Sequence, residues 1–451
     1  MFPGAGETWE DGFTDNDCDG ELEDVTLEYG ATSWTGEREG AEVGRRVSPL
    51  GDVTADGLAD YLTGGVYDSG FYENGGIVYL VSGNSGGSLA GNATLVPSGS
   101  QWFLGSAIDG GPDVDADDLP DIVVSATGFD GGTGKTWLVS GVSLATGAAV
   151  EPEGHAIGSV TGNEPGGYAG SSAAFLGDIM GSGEEWLAMA AQLADVSPMD
   201  DVGTVGFFVA SSIADVNLSD ADFSLSGYYA GESLGSDVDS AGDIDGDGLE
   251  DYFISASTGD LAYVLPGGNA SPVLPDDAIF RLTGTGAGEF GIAGMVGDID
   301  GDGRRDLACI VEDETTYFYT QLSSARVRSI SEASATVRNG AGSFAFDVAD
   351  LGDLDEDGRD ETFVVVSIFG DLGTSVSAVQ TGESLAFGAD LSVEDAALKA
   401  VSTRAATGFG YRIAVVGDVD GNGGDDLVYG GPSDDEGGER AGAVVTIPVP
   451  R

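Results

Sequence analysis

Basic side chains are scarce in this chain. It has two lysines, Lys135 and Lys399, and only 16 Lys and Arg against 78 Asp and Glu, a formal net charge of −62 over 451 residues. That balance excludes ordinary nucleic-acid binding and attachment to anionic membranes, because both need a basic face. It suits a salt-rich setting, where screening shortens like-charge repulsion, or a generic solubility surface. A single histidine, His155, excludes catalysis that needs paired imidazoles, and its place beside Pro152 and Gly154 reads as a loop or strand edge. Two cysteines, Cys18 and Cys309, cannot make a disulfide framework, and Cys309 sits in the apolar run 307–311, where it reads as a small core residue. No apolar stretch approaches the roughly 20 residues of a membrane-spanning helix. Met1 is followed at once by Pro3, Gly4 and acidic residues rather than by the pattern of a signal peptide. Long helical periodicity is also missing. Short apolar runs such as 77–81, 122–124, 363–366 and 444–447, bounded by Gly, Asp, Ser and Pro, predict many short strands.

What the chain has in abundance is one acidic loop of nine residues. Its clearest copies span 243–251 and 298–306, and its first positions are residues 52, 113, 178, 243, 298, 353 and 418. The loops recur about every 60 residues, and a repeat of that length means one supersecondary unit copied along the chain. Each unit reads as an apolar strand ending in the loop, a second strand from the loop's last carboxylate, then a third and a fourth. The last unit stops after three strands. The segment 27–36 precedes the first unit and is similar to the fourth-strand segments 222–227 and 279–284. The expectation is an all-β, seven-bladed β-propeller of four-stranded blades over residues 25–451, closed by the N-terminal strand completing the last blade. Closure removes the exposed edges that an open array would leave.

Carboxylates at loop positions 1, 3, 5 and 9 converge, with a backbone carbonyl at position 7 and a left-handed turn at position 6. Carboxylates within about 5 Å of each other repel by roughly 3 kcal/mol per pair at an effective dielectric near 20. No Lys or Arg holds a ligand position, so a cation is required, and an all-oxygen, flexible donor set selects Ca²⁺. The predicted ligands are Asp52, Thr54, Asp56 and Asp60 in the first loop, where Thr54 replaces the third-position carboxylate and weaker binding is expected, and Asp113, Asp115, Asp117 and Asp121 in the second. They continue with Asp243, Asp245, Asp247 and Asp251, then Asp298, Asp300, Asp302 and Asp306. Asp353, Asp355, Asp357 and Glu361 follow, and Asp418, Asp420, Asn422 and Asp426 close the series. In the copy at 178, Met180, Ser182 and Trp186 replace three ligands, and no ion is predicted there. About six Ca²⁺ are expected in the propeller. The N-terminal segment 1–24 carries an eighth acidic loop, predicted to bind one more through Asp15, Asp17, Asp19 and Glu23.

Phe409-Gly410, the loop from Asp418 and the strand that follows it resemble an FG-GAP repeat, the unit of the integrin α-subunit propeller, and Phe290-Gly291 with 298–306 is a second match. Leu104-Gly105, Leu234-Gly235 and Phe344-Ala345 depart from the first signature. Residues 1–24 resemble a cysteine-containing metal-binding motif of exported bacterial proteins, with Trp9 near the place of its upstream cysteine. The resemblance implies a calcium-binding recognition or adhesion module, extracellular or at the cell surface. It implies structural metal loops on one face and a protein or glycan ligand on the other. The loop 67–74 is its richest candidate surface, followed by Trp102, Phe129, Asp130, Tyr168, Tyr228 and Tyr229. The chain is expected to be non-catalytic. The competing expectation is a secreted carbohydrate-active enzyme, a polysaccharide lyase or carboxylate-based hydrolase, since an acidic chain supplies carboxylate pairs freely.

Overall fold

A computed structural model describes residues 25–26 and 32–447, save 84–86, 90–92, 146, 285–289, 312–314, 325–326, 339–342, 354–356, 369–374, 381–389, 393–397 and 403–410. Cys18 and the N-terminal loop with Asp15, Asp17, Asp19 and Glu23 lie outside the described residues, as do Asp355, Phe409 and Gly410. The chain is an all-β propeller of four-stranded blades. Blade 1 comprises Val43–Gly51, Asp60–Gly65, Val78–Ser82 and Ala93–Leu95. Blade 2 comprises Leu104–Gly110, Ile122–Ala126, Lys135–Val139 and Ala156–Thr161. Blade 3 is Ala169–Gly177, Trp186–Ala191, Thr204–Val209 and Phe223–Ser226. Blade 4 is Asp237–Gly242, Asp251–Ala256, Leu261–Leu265 and Phe280–Thr283. Blade 5 has Phe290–Val296, Asp306–Val311, Thr315–Tyr319 and Ala335–Arg338. Blade 6 has Ser343–Asp350, Thr362–Ile368, Ser375–Gln380 and Leu398–Ser402.

These six blades, each continuous in sequence, stand where seven were expected. The seventh sheet is composite: Arg412–Val415, Leu427–Gly431 and Ala443–Ile447 come from the C-terminal end, and Thr32–Thr35 pairs antiparallel with Ala443–Ile447. The innermost strands touch in chain order, and Arg412–Val415 touches Val43–Gly51. A second device links the blades at their rims. A short strand between the third and fourth strands of one blade pairs in parallel with the fourth strand of the blade before it. Asp215–Asn217 does so on blade 2, Val327–Ser329 on blade 4 and Asp390–Ser392 on blade 5. Val25–Thr26 lies on blade 6, and Gly87–Ser88 lies on Thr32–Thr35. Each outer edge so covered is no longer a template for another chain.

The core is the set of seams between blades. Among the described residues six apolar clusters appear, each drawn from two neighbouring sheets. Where their burial is described throughout, second strands are buried along their whole length, as in Ile122–Ala126 and Trp186–Ala191, because both faces of the sheet are covered. That explains their unbroken apolar runs where a one-sided strand would alternate. Cys309 is one of these core residues. His155 ends a helical turn, Pro152–His155, and is exposed.

Trp34 carries the composite seam. It is buried in one cluster with Val43 and Tyr61 of blade 1 and Val444 of the C-terminal strands, while Tyr61 Oη lies 3.2 Å from Thr446 Oγ1. Trp34→Ala is expected to lower unfolding stability by about 3–5 kcal/mol, the range for a buried tryptophan. Denaturant titration checks this, and a loss below about 1 kcal/mol would show that the seam closes without it.

Candidate metal centres

Antiparallel pairing places every first-to-second-strand loop at the same end of the propeller, so the acidic loops share one face. Their shape comes from the first aspartate. In the loop at 243, Asp243 Oδ1 accepts the N–H of Gly246 (2.7 Å) and Asp247 (3.0 Å), and Oδ2 accepts that of Gly248 (2.9 Å). Asp52, Asp113, Asp298, Asp353 and Asp418 each accept loop N–H groups through both oxygens in the same way. Asp178 keeps this cradle with Ser182 (2.9 Å) and Gly183 (2.6 Å), although its loop has lost other ligands.

The turn needs two left-handed positions, not one. Position 6 has positive φ throughout, including Asp118 at +71°, and so does position 4 wherever it is described, with Ala55 (+57°) and Ala116 (+63°) standing in for the usual glycine. Position 2 was also absent from the sequence reading. Val53, Ile179, Ile244, Ile299 and Val419 are all buried there and pin the loop to the core. An apolar residue immediately after each first aspartate was the available signal.

The ninth carboxylate is buried in every described loop that has one. Asp251 Oδ2 accepts the N–H of Ile244 (2.8 Å) and Asp245 (3.2 Å), while Oδ1 accepts that of Gly267 (2.9 Å). Burial, then the charge of neighbouring aspartates, pushes Asp306 up to about 9, and burial above all pushes Asp121 and Asp251 up to about 6. Three carboxylates come within 4.8 Å of one another in four loops: Asp113, Asp115 and Asp121; Asp243, Asp245 and Asp251; Asp298, Asp300 and Asp302; and Asp418, Asp420 and Asp426. Asp300 Oδ1 is buried with no hydrogen-bond donor. An all-oxygen donor set with an orphaned buried carboxylate oxygen fits a hard divalent cation.

The other predicted ligands are arranged differently. Asp117 Oδ2 is taken by the Ser140 hydroxyl (2.6 Å), and Asp56 Oδ2 by that of Ser82 (2.8 Å). In the loop at 52, Thr54 also turns its N–H (2.8 Å) and hydroxyl (3.3 Å) onto Asp60, so hydrogen bonds within the protein satisfy the carboxylates. Asn422 Oδ1 accepts the N–H of Gly424 (2.7 Å), and Asp247 Oδ1 that of Leu249 (2.9 Å). Asp353, Asp357 and Glu361 are described without their neighbour Asp355. At 178, Trp186 fills the ninth position as a core residue, and Glu185 accepts the Gly177 N–H (2.8 Å).

On the opposite face Phe71, Tyr72, Tyr168, Tyr228 and Tyr229 are exposed. Trp102 and Phe129 are instead half-buried, with ring centroids 4.9 Å apart, and both pack on Trp137. Phe103 and Tyr168 hold φ of +56° and +50°, which is uncommon for bulky side chains.

A carboxyl whose folded pKa lies above its unfolded value of about 3.9 binds more protons folded than unfolded between the two, so stability falls as pH rises through that window. The window runs from about 4 to 6 for Asp121 and Asp251 and to about 9 for Asp306. In chelator, the melting temperature is expected to rise as pH is lowered from about 7 to 5, and a divalent cation should flatten that trend by binding the deprotonated form. A chelated melt that drops steadily over this range would contradict the assignment.

A family profile described as FG-GAP-like repeat matches residues 298–364. Integrin alpha-PS2 of Drosophila melanogaster is 33% identical over 122 residues, covering 24% of this chain and 9% of the relative; the chain thus matches less than a tenth of that protein's length. Among solved structures, BBS1N in complex with ARL6DN, soaked with mercury, superimposes with a TM-score of 0.48 at 11% identity, covering 93% of this chain and 98% of that one. The lead-soaked form of that complex gives 0.47 at 10% identity, covering 89% and 93%. Loop chemistry, blade architecture and the matched profile together identify an FG-GAP-like repeat at residues 298–364.

Proposed function

We propose that the chain is an extracellular, calcium-stabilised recognition or adhesion module that does no catalysis, and that it takes a protein or glycan ligand on the face opposite its acidic loops. The observation that carries this reading is the clustering of three carboxylates in each of four loops on one face, with Asp300 Oδ1 buried and unsatisfied. Calcium suits these loops better than magnesium, because irregular turns supply six or seven oxygens without octahedral geometry. The reading takes the seven sheets as one ring, sealed where the N-terminal strand joins the last. Structural ions on one face leave the other free for a ligand.

Loop 67–74 is the best-built recognition element on that face. Buried Asp68 pairs with Arg38 at 3.0 Å and accepts the Gly70 N–H at 2.8 Å, and the Arg38 guanidinium lies 5.8 Å from the Phe71 ring centroid. Phe71 and Tyr72 are thereby held outward on a fixed loop, which lowers the entropy lost on binding. Similarity to an integrin α chain favours adhesion, although the matched part of that protein is small.

Calcium at about 100 times its Kd is expected to stabilise the fold by about 2.7 kcal/mol per site, reversed by chelator. Melts that ignore both calcium and chelator would remove the metal reading. Glycan and cell-surface protein arrays should return a ligand whose binding falls at least about tenfold in Phe71→Ala with an unchanged melt. Turnover of any polysaccharide would overturn the non-catalytic assignment.

A further inference from the structure

The inner strands also line the propeller axis, and the loop register shows how its charges are layered. Counting back six residues from a loop's first aspartate reaches Arg46, Asp237, Asp347 and Arg412, and counting back four reaches Asp109 and Asp239. All six line one cavity of about 250 Å³ to which every sheet contributes. Positions two apart on a strand face the same way and lie about 7 Å apart along it. The axis therefore carries a mixed-charge layer and, about 7 Å nearer the acidic loops, a purely anionic one.

Partners within each layer are incomplete. Arg412 Nη1 is 3.5 Å from Asp347 Oδ1, whose other oxygen accepts the Ile413 N–H (3.0 Å). Arg46 donates Nε to the Ser106 carbonyl (2.9 Å), and no ion pair forms on it among the described residues. Asp237 attracts both guanidiniums but, among the described residues, accepts hydrogen bonds only from the Ser172 hydroxyl (3.2 Å) and the Val238 N–H (3.1 Å). In the lower layer Asp109 accepts the Phe175 N–H (3.0 Å) and the Ser48 hydroxyl (3.3 Å), and Asp239 accepts the Ser240 N–H (2.8 Å). These two carboxylates repel each other, and burial raises Asp109 to about 7 and Asp239 to about 6. Arg305 reaches Asp239 through its field, but its own donors serve the carbonyls of Ser240 (2.9 Å) and Met295 (3.5 Å).

Among the described residues the cavity thus offers a carboxylate pair to which no basic side chain donates and, above it, a guanidinium that Asp237 attracts but that donates to no carboxylate. We propose that the axial cavity binds a small zwitterion of amino-acid size, its ammonium between Asp109 and Asp239 and its carboxylate on Arg46 beside Arg412. The volume lies below the roughly 300 Å³ at which sites for drug-sized ligands begin, so the occupant is small. This site is independent of the recognition surface proposed above.

Calorimetric titration of the full, calcium-loaded chain with glycine, γ-aminobutyrate, methylamine and acetate tests it. One of the two zwitterions is expected to bind at least about tenfold more tightly than either half-molecule, a gap of about 1.4 kcal/mol. Arg46→Met and Asp239→Asn should each weaken that binding by about tenfold or more while the calcium-dependent melt is retained. No binding by either zwitterion overturns the proposal, as does methylamine or acetate matching them. The wild-type comparison decides even if a variant fails to fold.

Discussion

The bond on which the loops depend is the one that the first aspartate of each accepts from backbone N–H groups three to five residues on. A carboxylate accepting two N–H groups closes the turn without help from any ion. The loop at 178 makes the case. It has lost its third, fifth and ninth ligands, yet Asp178 still holds Ser182 and Gly183, and Ile179 stays buried as its counterparts do. Loop shape and ion binding are therefore separable. The shape is carried by positions 1, 2, 4 and 6, and the carboxylates that cluster with the first aspartate are at positions 3 and 9, or 3 and 5 in the loop at 298. Position 5 belongs to either group: in the loops at 52 and 113 a serine at the end of the third strand claims it.

This separation explains what could be read from the sequence. The repeat, the strand order and the N-terminal strand that joins the last sheet are legible because each rests on local pattern: spacing, apolar runs, and the likeness of 27–36 to the fourth strands. The ligand positions are legible as residue types. Their grouping is not, because it depends on residues distant in sequence. Ser82 and Ser140 arrive from third strands, and Thr54 turns inward onto Asp60 instead of leaving a vacant ligand position. Trp102 and Phe129 read as surface aromatics, but Trp137 lies beneath both. The charged layers on the axis were missed for the opposite reason. Six scattered residues become one constellation only once blades stand side by side and the loop register is used as a ruler.

The surplus of negative charge is also distributed by register. Carboxylates in the loops are concentrated on one face, and those on the axis stand two residues apart on inner strands. Cations are placed where they perform specific tasks. Arg38 holds loop 67–74, Arg45 lies between the rings of Tyr67 and Tyr411 and pairs with Glu42 at 2.7 Å, and Arg440 also meets Glu42 across the composite seam. With so few basic groups, each described one near the seam does a job a neutral side chain could not. Exposed ion pairs contribute little to stability, but Glu42 is buried, so loss of its partners would leave a desolvated charge.

The loops are joined to one another as well as to their own blades. The Ala59 N–H, in the first loop, donates to the Asp418 carbonyl of the last (2.8 Å), and the Asp360 N–H donates to the Asp298 carbonyl (2.8 Å). Asp360 also accepts the Asp298 N–H through its side chain at 2.6 Å. The first residue of one loop, itself a predicted ligand, is thus held at its backbone by position 8 of the loop in the next blade. An ion that fixes one carboxylate fixes the carbonyl that anchors the neighbouring loop. Binding energy gained in a single loop is then shared across a seam, and seams are where the apolar core of this fold lies. A loop that has lost its ligands, like that at 178, can persist because its neighbours hold it: the Gly268 N–H of blade 4 still donates to the Ile179 carbonyl at 2.7 Å.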